Sequence, residues 1–568
     1  MKGIIIMHLL GKAMDPAFWQ EVREKDSYKR FRDELDAMWE KDCTNPIEAL
    51  RYSDFRMFKF TGNRSVYEGQ YFLRRRRLNA CAILSLIYPE EEKYLVTLMD
   101  TIYAMCDEYT WCLPAHQTAL EVNNNIHLDL FACETGFALA EIYTLLGDRL
   151  EPLIRDRIRV EYDRRVLESF DKGKFGWEHN LANWNAVCTG SVACSMMLMH
   201  PELMDKYLPR FEENIEYYLK GFKDDGICEE GVGYWHYGFG FFTVYADMIR
   251  TYTEGKIDYF TRPKVKEVAC FMQKMYLSGK STVSFSDGGR SCNYHLGLLH
   301  YLKNEYPDAI SIPDPKDSYN GDGCGRWCLH IRSILWMKEE YLTPDENAPE
   351  ATYYAEHSQW MVHKNAKYGF GAKAGHNGEP HNQNDVGSFI IAKNGRQVLV
   401  DPGAGAYTRQ YFAFDTRYTI LQCSSRGHSV PIIGGNYQMP STRDVRYSAK
   451  NTKYENGVFS SDIAGAYAIP ELNSLVRAFS WNDNSVTLTD TYDYTGNGDL
   501  VERFVTLAQP TSDKAGTVTV DGVTVTYDPE KYELTLGSED FNPGTGCLYF
   551  IDLKLKKGVT EFTATFTV

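Results

Sequence analysis

The stretch AGHNGEPHNQNDVGSFII (374–391), continued by VLVDPGAGAYTRQYF (398–412) and RGHSVPIIGG (426–435), decides how this chain is read. His376, His381, Gln383 and Asp385 fall within ten residues. Behind them SFIIAK and RQVLVD read as two strands. Asn394-Gly395 between them is the dipeptide that favours a two-residue hairpin, because both central positions of such a turn take positive φ. That hairpin returns Asp401 to the residues that precede the outgoing strand. His428 follows a further apolar run. A side-chain amide, a carboxylate and an imidazole gathered by strand pairing suit a metal site or a polar catalytic floor. The bland alternative is turn and edge chemistry.

Outward from this block the texture is of two kinds. From about 350 the chain alternates with period two and carries turn dipeptides. Examples are LVRAFSWNDNSVTLTDTYDY (475–494), GTVTVDGVTVTYD (516–528) with Asp521-Gly522, and EFTATFTV (561–568). Before about 340 the apolar spacing is helical, through 26–42, 71–88, 92–109, 129–150, 151–171, 184–199, 205–223 and 240–252. Helices of this length on short loops predict antiparallel hairpins packed in pairs. SIPDPKDSYNGDGCGRWC (311–328) has the Pro, Gly and Asp density of a linker. The expected domains are therefore 1–345, helical, and 346–568, an antiparallel β-sandwich.

At 568 residues the chain exceeds one ordinary core. A net charge of −16 argues against nucleic acid as a partner, and an acidic polysaccharide would have to be held by a local cleft. Aromatics reach 14%, with 39 Tyr and 10 Trp, which suits stacking on sugars as well as a large core. Fourteen Cys stand singly without a CxxC pair and read as reduced thiols. The N-terminal apolar patch is broken by His8 and Lys12, unlike a secretory signal, and no stretch approaches a membrane span. A cytoplasmic protein is the expectation. Arg74 to Arg77 form the one cationic run, best read as pairing with acids on neighbouring helices.

Two stretches of the helical half carry polar chemistry. In GWEHNLANWNAVCTGS (176–191), His179, Asn180, Asn183 and Asn185 cluster where a polar loop enters an apolar helix. Any one Asn there reads as a helix cap, but four such groups exceed one cap. In DDGICEEGVGYWHYGFGFF (224–242), Tyr234, Trp235, His236 and Tyr237 follow an acidic glycine-rich turn. An aromatic box at a helix start is most often core.

The string HNQND-x-GSF (381–389), an Asp-Pro-Gly sixteen residues past Asp385, and GHS-x-P with Gly434-Gly435 together resemble the C-terminal signature of the heparinase II/III-like polysaccharide lyases. The HNQxD form is similar to the heparinase III-like subgroup. The resemblance implies an N-terminal (α/α) toroid and a C-terminal antiparallel β-sandwich. It also implies β-elimination of uronic-acid-containing glycosaminoglycan chains or oligosaccharides. Such an enzyme removes the C5 proton of a uronate, which is barely acidic until the adjacent carboxylate is neutralised. Neutral donors aimed at that carboxylate stabilise the enolate-like state, and losing one costs about 10²–10³ in rate.

Carried onto this chain, the resemblance gives Asn183 and His381 to the carboxylate, and Tyr234 or Tyr237 to proton transfer. His179, Asn185, His236, His376 and Tyr411 become substrate contacts or second acids. It also implies one structural divalent ion on Gln383, Asp401 and His428. Many relatives carry a second His where this chain has Gln383. The resulting O, O, N set suits calcium or manganese at least as well as zinc. Two alternatives stay open. One is an (α/α)-toroid glycoside hydrolase using a pair among Glu229, Glu230 and Asp287. The other is a carbohydrate-binding protein without catalysis.

Overall fold

The computed structural model describes residues 8–117, 120, 127–291, 295–312, 322–343, 350–441, 445–540 and 546–568. The chain divides into two compact units. The first takes 1–221, 236–269 and 293–344; the second takes 222–235, 270–292 and 345–568. The expected division into 1–345 and 346–568 is continuous in sequence, whereas these units interleave. Part of the expected linker, 313–321, lies outside the described residues.

The first unit is built of helices whose successive members pack as pairs. Ser65–Ile87 lies against Glu92–Cys106, and Leu130–Leu146 against Asn183–Met199. Asn183–Met199 also meets Met204–Lys220 and Gly240–Tyr252, and Leu296–Glu305 meets Trp327–Leu335. This is the arrangement of an (α/α) toroid. Leu130–Leu146 and Asn183–Met199 are buried almost all round, because their sequences carry small and apolar residues on every face. Leu130–Arg149 is, contrary to the expectation, long and apolar enough to cross a membrane by length and composition; it is also mostly buried within the protein, as a core helix is. The cationic run is structural. Arg75 holds Glu108 through two bonds of 2.7 and 2.8 Å, Arg74 adds a third at 3.1 Å, and Arg76 pairs with Asp42 at 2.9 Å.

The second unit is antiparallel throughout its described strands. After the hairpin β1 (Tyr276–Ser278) and β2 (Ser281–Thr282) comes a five-stranded meander: β3 (Ala351–Ala355), β4 (Trp360–Lys364), β5 (Gly369–Lys373), β6 (Phe389–Lys393) and β7 (Arg396–Leu399). The remaining strands are β8 (Ile432–Ile433), β9 (Lys450–Glu455), β10 (Val458–Asp462), β11 (Leu472–Asn482), β12 (Ser485–Tyr494), β13 (Leu500–Thr506), β14 (Thr517–Val520), β15 (Val523–Tyr527), β16 (Tyr532–Asp540), β17 (Cys547–Leu555) and β18 (Glu561–Thr567). They form a seven-stranded sheet, β14-β15-β18-β12-β11-β10-β9, and a four-stranded sheet, β16-β17-β13-β8. All three large sheets feed one apolar core. Phe389, from the SFIIAK strand, sits at its centre with rings of Phe479, Phe504 and Phe566 between 5.2 and 5.8 Å away. The outgoing and return strands pair as the Asn-Gly dipeptide requires, with Asn394 and Gly395 both at positive φ. Asp521-Gly522 closes β14 and β15 in the same way.

The β1–β2 hairpin lies within the half expected to be helical throughout. Its backbone and polar groups are held by the meander. Gln397 donates to Thr282 O at 2.8 Å and the Gly395 N–H to Ser278 Oγ at 3.1 Å, while Lys364 donates at 2.7 Å to Gln273 O in the helix just before the hairpin. Long-range pairing has overridden local helix preference here, and it positions the loop 283–289 that follows.

Candidate active site

Three loops of the second unit meet backbone to backbone because glycine stands in each. Gly231 has φ of 104°, and a Cβ there would lie 2.8 Å from the Gly288 nitrogen. Gly403 has φ of 69°, and a Cβ there would lie 2.6 Å from the Gly288 oxygen. Only glycine accepts both the conformation and the approach. EEG (229–231), DGG (287–289) and DPG (401–403) are thereby brought together with the HNQND turn.

Asp287 is the hub of what results. Its carboxylate is buried, and its Oδ2 accepts from His381 Nδ1 at 2.6 Å and from the Tyr407 hydroxyl at 2.8 Å. Its Oδ1 accepts a short bond from Tyr411, and the Arg417 guanidinium lies 3.7 Å away. Burial alone would raise the carboxyl, but the His381 bond and the nearby cations hold Asp287 below the usual carboxylate range. The Tyr407 and Tyr411 hydroxyls are pushed up, by burial first and then by the charge of Asp287.

His381 stands in the left-handed region at φ 55°, a strained setting for a residue with a side chain. Its ring packs 4.3 Å from that of Tyr234, and its Nε2 lies 3.5 Å from Glu230. Burial would lower His381, yet the bond to Asp287 and the charge of Glu230 outweigh it and hold the imidazole above its ordinary value. The Tyr234 hydroxyl lies 2.9 Å from that of Tyr407. Tyr234, Tyr407, Asp287 and His381 thus form one connected network. Tyr411 is fully buried behind it, with Arg417 4.1 Å over its ring. His376 accepts from the Gly378 N–H at 3.1 Å.

A second buried cluster lies in the same unit. The ligand atoms of Asp385, Asp401 and His428 fall within 4.8 Å of one another. His428 Nε2 is 2.8 Å from the Gln422 carbonyl, which can only accept, so Nδ1 is the atom turned toward the carboxylates. That Nδ1 is 3.3 Å from Asp401 Oδ2. Asp385 Oδ2, Asp401 Oδ2, His428 Nδ1 and Gln383 Oε1 are all buried with no hydrogen-bond partner. Gln383 Nε2 donates to Ser286 O at 2.7 Å and to Gly403 O at 2.8 Å, which leaves its oxygen as the unused end. Lys373 donates to the other oxygen of Asp385 at 2.8 Å and to Glu379 at 2.9 Å. Asp385 Oδ2, Asp401 Oδ2 and His428 Nδ1, buried within one small volume, fit a divalent ion, and the Gln383 oxygen is a further unused donor. Asp385 is a member that sequence reading left out; its signal was adjacency to the HNQ string.

The polar groups of the first unit are differently employed. Asn183 is the first residue of the helix Asn183–Met199 and is buried. Asn185 donates to Glu178 O at 2.7 Å and to Asn180 O at 3.1 Å, and accepts from Thr189 at 3.2 Å. Its whole amide is thus used by the fold, although sequence reading made it a substrate contact. Asn180 accepts from the Ala182 N–H at 2.7 Å. His179 is exposed with its ring 4.5 Å from that of Tyr217. His236 is buried, 5.5 Å from the ring of His295. Tyr237 donates a short bond to Glu134, and the Arg326 guanidinium lies 3.9 Å over its ring. Burial pushes Glu134 up to about 7, although Arg326 opposes it.

Of the acids weighed for hydrolysis, Glu229 is bonded to Lys223 and pushed up to about 7, by burial first and then by the charge of Glu379. Asp287 is occupied as described. Tyr407 and the hub role of Asp287 were missed, since nothing local in AGAYTRQYF or SFSDGG marks them.

No protein-family model matches the sequence, and no curated protein is detectably similar to it in sequence. Solved structures share its fold. Heparinase III superposes with a TM-score of 0.62 at 14% identity, covering 97% of this chain and 91% of that one. The heparan sulfate lyase HepC of Pedobacter heparinus gives 0.59 at 12% identity, covering 97% and 92%. The chondroitin AC lyase of Streptomyces coelicolor A3, solved in complex with chondroitin sulphate, gives 0.57 at 12% identity, covering 97% and 82%. The chain has the fold of these polysaccharide lyase structures.

Proposed function

We propose that the chain is a polysaccharide lyase that cleaves uronic-acid-containing glycosaminoglycan chains or oligosaccharides by β-elimination, leaving a 4,5-unsaturated uronate. The observation that carries this reading is the Tyr234–His381 pair. A phenol and an imidazole lie with ring centres 4.3 Å apart, the imidazole bonded to the Asp287 carboxylate and the phenol linked to it through Tyr407, in a fold shared with lyases. His381 Nδ1 is committed to Asp287, so its Nε2 is the donor left for the substrate carboxylate. Charge that develops on that carboxylate as C5 loses its proton meets a fixed donor. Tyr234 takes the C5 proton and returns one to O4. The resemblance in sequence supports Asn183 as an amide donor to the carboxylate and a likeness to the heparinase III-like HNQ subgroup.

Gln383, Asp385, Asp401 and His428 would hold one divalent ion. Three oxygen donors and one nitrogen favour calcium or manganese over zinc. When bound, the ion would tie the HNQND turn, the DPG loop and the His428 segment together, a structural role. The chemistry above uses none of its ligands.

A panel of uronate polymers and oligosaccharides, followed by ultraviolet absorbance of the new C4–C5 double bond, tests the reading. Absorbance that grows with digestion supports it. Cleavage into new reducing ends without absorbance would instead favour the hydrolase, with Glu229, pushed up to about 7, as its acid. Binding without any product would favour the non-catalytic protein.

A further inference from the structure

We propose that Tyr407 and Asp287 are positioning residues that dictate the direction of the Tyr234 proton and carry it during turnover. The inference rests on the lyase reading and follows from counting protons. Asp287, held ionised by His381 and Arg417, can only accept. Tyr407 has a single hydroxyl proton, and its 2.8 Å bond to Asp287 Oδ2 uses that proton. In the 2.9 Å contact with Tyr234, the Tyr407 oxygen must therefore accept and Tyr234 must donate. Only one orientation satisfies both bonds. It turns the Tyr234 proton along the network, so that a lone pair of Tyr234 is the group available to a C5 proton.

The relay balances without any co-reactant. As the C5–H bond breaks and its proton joins the Tyr234 oxygen, the original Tyr234 proton passes to Tyr407. The Tyr407 proton passes in step to Asp287, which becomes a neutral acid. The electron pair from C5–H forms the C4–C5 double bond as the C4–O4 bond breaks. Tyr234 then gives its proton to O4, and the two relay protons return, restoring the Asp287 carboxylate. One proton has moved from C5 to O4.

The test uses full-length protein and a uronate oligosaccharide that the wild type cleaves. Tyr407→Phe keeps the ring, which packs 5.0 Å from both Tyr411 and Phe412, and removes only the hydroxyl. It should lower kcat by roughly 10²-fold with KM within about twofold. Asp287→Asn should lose at least as much kcat as Tyr407→Phe. A Tyr407→Phe variant with near-native kcat overturns the relay while leaving the lyase reading intact. If the wild type makes no unsaturated product, the lyase reading fails and the hydrogen-bond direction is read directly. In protein labelled with ¹³C at tyrosine Cζ, the Tyr234 resonance should move on Tyr407→Phe and not on Tyr411→Phe. An unmoved resonance refutes the proposal.

Discussion

Tyr234 and Tyr237 stand three positions apart in one aromatic box, and both hydroxyls lead to a buried carboxylate. What they meet differs. Tyr237 bonds directly to Glu134, which burial has pushed up to about 7, with Arg326 stacked on the ring. That is a closed pair, with the hydroxyl committed to its partner. Tyr234 meets another hydroxyl, and beyond it a carboxylate held low by His381. The same residue type, in the same box, is fixed in one case and on a relay in the other. The distinction is made by acids 103 residues away from Tyr237 in one case and 53 from Tyr234 in the other (237 minus 134; 287 minus 234).

The sharpest way to break this contrast is Tyr→Phe at each position, which removes a hydroxyl and keeps the packing. Tyr234→Phe should lower turnover by about 10³-fold or more while oligosaccharide binding stays near native. Tyr237→Phe should keep turnover within about tenfold and lose stability instead, because Glu134 is left without its donor. The reverse ranking would move the chemistry to Tyr237. Next in size, His381→Ala should cost roughly 10²-fold in turnover with little change in melting temperature, as measured by initial rates and thermal scans. A near-native rate would remove His381 from the mechanism.

Two buried charged clusters of the second unit extend the comparison. Arg477 bonds Asp490 at 2.6 Å and Glu502 at 2.7 Å, and also donates to two backbone carbonyls. Its charges are matched inside the fold. The Asp385, Asp401 and His428 cluster leaves three donor atoms unmatched. Chelation should therefore lower the melting temperature of the wild type, because an ion bound only by the folded state adds its binding energy to stability. Asp401→Ala should be less stable and insensitive to the chelator. Active protein free of metal by elemental analysis would refute the assignment.

The smallest expected effect is on pH dependence. Glu134 has a folded value of about 7 against an ordinary 4.5, so the folded state binds a proton that the unfolded state has lost. Stability from this group is fully present below about 4.5 and is lost as pH rises through about 7. Glu134→Gln keeps an acceptor for Tyr237 and removes the titration. The variant should gain melting temperature relative to wild type across that window. Parallel curves for the two proteins would contradict the assigned shift.

The hairpins were legible because their signals are local. Asn394-Gly395 and Asp521-Gly522 announce their turns, and Phe389 and its alternating neighbours mark a core strand. His381, Asp401 and His428 were legible through one block of sequence. Asp385 was passed over as a ligand, although it lies two residues from Gln383. Tyr407 and the role of Asp287 could not be found locally. They join the site through glycine contacts at Gly231, Gly288 and Gly403, which are long-range packing events. The β1–β2 hairpin went unread within the half expected to be helical for a similar reason: its partners lie in the meander, as with Gly395, 117 residues after Ser278.

The central claim is elimination rather than hydrolysis at the Tyr234–His381 pair, and product mass tests it most directly. A defined uronate oligosaccharide is digested to completion and the two fragments of a single cleavage are weighed. Elimination predicts fragment masses that sum to the mass of the substrate, with the unsaturated residue at one new end. Fragments that together exceed the substrate by one water would contradict the account.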